Sequence, residues 1–139
     1  MKYTSIIEAF SGEHRWLSNF WIHDEARQLS VEHHYQAAKT TNLEDYLLIM
    51  SAETPGQAKR FGKQITVRDD WDSVKFTIME HLTREKYATN IKLRNMLLDT
   101  KGSLLIEGNT WGDRVWGVCE GTGENHLGKI IMRVRDQFL

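Results

Sequence analysis

The stretch WDSVKFTIMEHL, Trp71 to Leu82, decides the fold. Trp71, Val74, Ile78 and Leu82 recur at steps of three and four residues. At about 100° per residue, that spacing lays a single apolar stripe along a helix. Working outward, the same signature repeats. Leu93, Met96 and Leu97 form a second stripe, which Lys101-Gly102 ends. Upstream, Thr54-Pro55 supplies a cap and a proline at the first helical position for PGQAKRFGK, and Gly62 closes it. LEDYLLIMSA is another helical pattern, and Ser30 caps a helix from Val31 to about Thr40. Asn125 is expected to cap a last helix with Leu127, Ile130, Ile131, Val134 and Phe138 on one face. Strand signals are few: SIIEAF near the start and SLLIEG after residue 102. GEHRWLSNFW has no period and reads as a structured loop. The expected fold class is α+β: a mainly α-helical, compact single domain over residues 1–139 with a small β-sheet.

Composition narrows the function. The chain has 139 residues, 40% of them hydrophobic and 27% charged, an ordinary globular balance. A net charge of −1 leaves no broad basic field for nucleic acid or an anionic membrane. MKYTSIIEAF lacks the long apolar run of a signal peptide, and no stretch approaches the roughly 20 apolar residues that cross a bilayer. Cys119 is the only cysteine, so no internal disulfide forms. A reducing cytoplasm is the expected location, with Cys119 a small buried hydrophobe.

Two regions carry candidate chemistry. In EHHYQAAK, residues Glu32, Gln36 and Lys39 share a helix face, beside the apolar row of Val31, Tyr35 and Ala38. A carboxylate and an amine on the border of a core can tune each other's acidity. A weakly paired surface row has the same spacing. His33 and His34 point about 100° apart and no HExxH is present, so no metal site is expected. The second region, WGDRVWGVCEGTGENHLG from Trp111 to Gly128, mixes tryptophan, glycine and charge. Gly121 and Gly123 would let backbone approach a ligand, and a helix starting at Asn125 would offer free N–H groups to a phosphate. GENHLGKI lacks the Ser or Thr of a phosphate-binding loop, having Ile130 there. Trp16, Trp21, Trp111 and Trp116 are candidates to stack on a base, and Arg15, Arg60, Arg68 and Arg114 to clamp phosphate.

Taken in order, FSGEHRWLSNF, SVEHHYQAAKT, SAETPGQAKRFGK, RDDWDSVKFTIM, KYATNIKLRNMLLDT and LIEGNTWGDRVWGVCEGTGENHLGKIIMRVR resemble the NADAR superfamily of YbiA-like N-glycosidases. The chain departs from the family pattern in EHHYQ, where members often have EHYFQ. The resemblance implies a compact, mainly helical α+β fold. It also implies cleavage of an N-glycosidic bond between ribose and a base or amine, in a phosphorylated or ADP-ribosylated substrate. Riboflavin-pathway ribosylamino-pyrimidine phosphates and ADP-ribosyl-guanine, the latter within nucleic acid, are the implied substrates. Carried onto this chain, Glu32, Lys39 and Asp113 are the implied catalytic residues. Arg15, Trp16, Ser18, Asn19, Gln36, Arg60, Trp111, Trp116, Gly117, Gly123 and Asn125 are the candidate substrate contacts. No metal, cofactor or membrane is implied. A pocket that binds ADP-ribose or a nucleotide without cleaving it is the alternative. A purely structural helical adaptor fits the glycine and tryptophan cluster poorly.

Overall fold

The structure, a computed structural model, describes residues 2–139. The described residues form six α-helices, one 3-10 helix and three two-stranded sheets. Residues up to Ser18 together with Thr83–Leu139 make one compact unit, and Asn19–Leu82 make a second.

In the first unit, β1 (Ser5–Ile7) and β4 (Ser103–Leu105) pair in parallel, Ser5 opposite Ser103 and Ile7 opposite Leu105. These are the two strands that the sequence pattern predicts. Ile7 and Leu105 turn inward, and α6 (His126–Gln137) lays Leu127, Ile130, Ile131 and Val134 into the same unit's core. The expected apolar face is therefore the buried one. Arg135, on the same helix, is buried too. Its Nη1 donates to Thr100 O, Thr100 Oγ1 and Ser103 O at 2.8–3.0 Å, satisfying carbonyls beyond the end of α5 (Ile91–Leu98). The predicted loop at GEHRWL is a 3-10 helix, Gly12–Leu17, with Trp16 and Leu17 buried. Two short strands, β5 (Gly108–Asn109) and β6 (Val118–Cys119), pair in parallel, β6 lying within the Trp111–Gly128 segment.

In the second unit, β2 (Ile22–Asp24) and β3 (Leu29–Ser30) form an antiparallel pair that leads directly into α1 (Val31–Ala37). Ser30 caps α1 as its residue type predicts: Ser30 Oγ accepts from His33 N at 3.3 Å, and His33 Nδ1 accepts from Ser30 N at 3.1 Å. The other ring nitrogen, His33 Nε2, donates to Ala52 O at 3.0 Å. Both nitrogens of His33 are thus spent on protein. α1 packs on α2 (Leu43–Met50) and α3 (Pro55–Phe61) around Ala37, Ile49, Ala52 and Ala58. Thr54 Oγ1 accepts from Gln57 N at 3.1 Å, with Pro55 at the first helical position, as the Thr-Pro pair predicts.

The helix α4 spans Trp71–Ala88, with residues 71–82 in the second unit and 83–88 in the first. It runs six residues past the predicted stripe. Its fully buried positions are Met79, Thr83, Lys86 and Tyr87, while Val74, Ile78 and Leu82 are half-buried. A stripe read from apolar residues alone misses this face because it carries a threonine and a lysine.

Candidate active site

In the second unit, α1 brings Glu32, Gln36 and Lys39 together. Glu32 is 7% exposed, although it lies in the first turn of a helix. Its backbone N–H donates to Asn19 O at 3.0 Å, which ties the start of α1 to the first residues of the same unit. Gln36 Nε2 donates to Glu32 Oε1 at 2.7 Å. The helix ends at Ala37, but Lys39 N donates to Gln36 O at 3.2 Å, a tighter turn that carries the row onward. Lys39 Nζ lies 5.6 Å from the centre of the Tyr35 ring and 6.0 Å from that of Trp71, and the two ring centroids are 5.1 Å apart. The amine is therefore shielded by an aromatic pair.

Burial moves both groups toward neutrality. It pushes the Glu32 carboxyl above the ordinary carboxylate value, opposed by the Gln36 hydrogen bond and the charges of Lys59, Lys39 and His33. It pushes the Lys39 amine down, opposed by Glu32 and reinforced by Lys59, Lys63 and Lys75. The surface-row alternative fails here, since an exposed row would not be desolvated. Arg60, on α3, is exposed, and its Nη1 lies back toward the first turn of its own helix. Arg68 pairs with Asp70 through Nε and Nη2.

The Trp111–Gly128 segment, in the first unit, is built differently from the expectation. Asp113 Oδ1 accepts from Val115 N at 3.1 Å and Trp116 N at 2.9 Å, and Asn109 clasps the Asp113 backbone on both sides. This carboxylate organises its own turn. Asn125 does not cap α6. Its backbone is left-handed at φ 54°, and its side chain turns inward, accepting from Glu107 N and donating to Leu105 O, both at 2.9 Å. The amides of Glu124, Asn125, His126 and Leu127 all donate to carbonyls of residues 114–117, at 2.9–3.3 Å. The free N–H groups that a phosphate would need at this helix start are taken, so that expectation is overturned.

Gly117 and Gly123 serve the same internal closure, whereas Gly121 faces open space. A Cβ on Gly117 would collide with Glu107 O, and one on Gly123 with Gly117 O. They admit backbone rather than ligand. Trp16 is a second correction: it is 7% exposed and packs edge-on against Tyr87, so it cannot offer a face to a base. Trp111 is 66% exposed, and Trp116 is half-buried with its edge toward His126. Arg15 is exposed and donates to Gly12 O at 3.2 Å, and Ser18 O accepts from Lys86.

Two ionisable residues of the first unit escaped sequence reading. Lys86 is fully buried and donates to Trp16 O at 2.7 Å and Ser18 O at 3.1 Å. Burial holds its amine down to about 7, against the pull of Glu107. Glu107 is raised to about 7 by burial and by the charge of Asp113, with Lys86 pulling back, and its Oε2 is buried without a hydrogen-bond partner among the described residues. The seven-residue step from Met79 to Lys86 was the available signal for the lysine. Glu107 had none beyond its place after the apolar run SLLI. Among the described residues, no group of three or more His, Cys, Asp or Glu is placed to hold a metal ion. No helix among them is long and apolar enough to cross a membrane.

A family model, the NADAR domain, matches residues 8–139. The N-glycosidase Npun_R5314 of Nostoc punctiforme is 40% identical over 115 residues, which covers 78% of this chain and 73% of that protein. The N-glycosidase YbiA of Escherichia coli is 34% identical over 110 residues, covering 77% of this chain and 68% of its own. A riboflavin biosynthesis protein PYRR, chloroplastic, of Zea mays is 36% identical over 123 residues, but these span only 20% of that longer protein. The NMR structure of the E. coli protein YbiA superposes with a TM-score of 0.83 at 30% identity, over 99% of this chain and 89% of that one.

Proposed function

The chain belongs to the NADAR domain family, and from that premise we propose that it is an N-glycosidase that separates ribose from a nitrogen base or amine. The observation that carries the mechanism is the Glu32–Lys39 pair: a carboxyl and an amine near enough to feel each other's charge, each desolvated and shifted toward its neutral form. Such a pair holds a proton donor and a nucleophile ready together.

In this reading, the Lys39 amine attacks the sugar carbon that bears the nitrogen, and the departing nitrogen takes a proton from Glu32. The lysine nitrogen then gives up a proton, by way of the Glu32 carboxylate, to the ring oxygen as the bond from that oxygen to the same carbon breaks, leaving free base and a Lys39 imine of the ring-opened sugar. Water then adds to the imine carbon, releasing the sugar aldehyde and restoring the amine. Direct attack by water, with Glu32 as its only ionisable helper, is the competing route. Asp113 takes no part in bond breaking here, because its Oδ1 is committed to two loop amides. The substrate's phosphate lies against Lys59 and Lys63, whose charges already reach Lys39.

The substrate is a phosphorylated or ADP-ribosylated ribosyl base. A ribosylamino-pyrimidine phosphate is supported by relatives named for riboflavin biosynthesis. ADP-ribosyl-guanine, free or in nucleic acid, has the same bond and the same anionic tail. The free, buried thiol of Cys119 suits the reducing cytoplasm, where we place the reaction.

The test is incubation with a panel of both substrate types, with mass-spectrometric detection of released base, followed by borohydride. Released base together with a reduced sugar adduct on Lys39 supports the imine route. Base release without an adduct leaves direct hydrolysis. Ligand retained uncleaved would make the chain a binding module and overturn the proposal.

A further inference from the structure

Gly62 stands at the end of α3 with φ −60°, an ordinary helical conformation that any residue adopts. Nothing in its backbone asks for glycine. What it lacks is a side chain, and that space is filled. A Cβ at position 62 would collide with Gln36 Oε1 and come within 2.8 Å of Gln36 Cδ, and the three atoms nearest to it all belong to Gln36. Gln36 is itself 4% exposed, so its amide has little room to swing aside. Its Oε1 is buried with no hydrogen-bond partner among the described residues and faces the bare Cα, while its Nε2 reaches Glu32 Oε1.

We propose that Gly62 and Gln36 are positioning residues for Glu32: the missing side chain at 62 is what lets the Gln36 amide lie where it grips one oxygen of that carboxyl. The inference rests on the reading of Glu32 as the proton donor. The grip leaves Glu32 Oε2 as the oxygen that meets substrate. It also favours the ionised acid, since Gln36 offers an N–H. The other charged groups that bear on Glu32 are Lys59 on α3, Lys39 after α1 and His33 on α1 itself.

The experiment compares Gly62→Ala and Gln36→Met with the wild-type chain by isotope-edited NMR titration of the Glu32 carboxyl and by pH-dependent kinetics on the cleaved member of the substrate panel. Alanine suits the helical backbone at 62, but its Cβ must displace the buried Gln36 amide, so Gly62→Ala keeps its fold at a lowered thermal midpoint, and Gln36→Met reads the same loss of grip without that clash. In both variants the Glu32 midpoint rises by about one pH unit or more, because a hydrogen bond to the charged form is lost. Turnover at neutral pH changes by about tenfold or more, while KM moves by less than roughly threefold. A Glu32 midpoint unchanged in both variants overturns the inference, and one unchanged in Gly62→Ala alone removes Gly62 from it. If the midpoint moves as expected while Glu32→Gln still turns over normally, the positioning stands and the glycosidase role of Glu32 falls.

Discussion

Replacing Glu107 with glutamine should make the protein more stable at neutral pH, and the size of the gain follows from its surroundings. The carboxyl is raised from 4.5 to about 7 by burial and by Asp113. A group with a raised folded value binds more protons in the native state than in the unfolded chain between those two limits. Stability therefore falls as pH climbs from about 4.5 to about 7, and the full penalty is present above. At roughly 1.4 kcal/mol per pH unit, this gap amounts to about 3 kcal/mol. The attraction to Lys86 is already contained in that figure, because Lys86 is among the causes that set the value. Glutamine has the shape of the protonated acid and never charges.

Urea unfolding, followed by tryptophan fluorescence at pH 5, 6, 7 and 8, reads the difference. Wild type and Glu107→Gln should nearly coincide near pH 5 and diverge by up to about 3 kcal/mol by pH 8. Lys86 works in the other direction and serves as the internal control. Its amine is lowered from 10.5 to about 7, so stability rises between those limits as the unfolded chain alone holds the proton. That rise should persist in the variant. Parallel curves for the two proteins from pH 5 to 8, or a variant less stable at pH 8, would refute the assignment of Glu107 as a desolvated, neutralisable acid.

Other substitutions probe the site and its frame. Glu32→Gln should cost about a hundredfold or more in kcat/KM, with unchanged circular dichroism, read as base released in the mass-spectrometric panel. Lys39→Arg keeps the charge but cannot form an imine, so borohydride should leave no sugar adduct and turnover should collapse; normal turnover would exclude the nucleophilic route. Asn125→Ala strips partners from Glu107 N and Leu105 O and should lower unfolding stability by about 2 kcal/mol or more. Asp113→Asn retains an oxygen for the Val115 and Trp116 amides and should keep most activity, whereas Asp113→Ala should not. Activity lost in the asparagine variant would show that the charge itself is needed.

Local rules explain why part of this was readable from the chain. Ser30 and Thr54-Pro55 start helices because their side chains and ring act within three residues, and the row Glu32-Gln36-Lys39 follows from helical pitch. What pitch cannot say is that the row is buried. That depends on α3, which packs on α1 and meets the Gln36 amide with the bare Cα of Gly62. Long-range partners decide the remainder. Asn125 has the residue type of a cap, yet Leu105 O and Glu107 N, 20 and 18 positions earlier, claim its side chain. The amides it would have exposed are claimed by carbonyls of residues 114–117. Lys86 is hidden for a related reason. A stripe search rewards apolar residues, while this helix buries an ammonium and satisfies it with two backbone carbonyls from the 3-10 segment. Burying a charge is costly unless partners are built for it. A chain that retains such groups, at Glu32, Lys39, Lys86 and Glu107 together, gives up stability at positions where a proton-transferring enzyme gains from acids raised and amines lowered by burial.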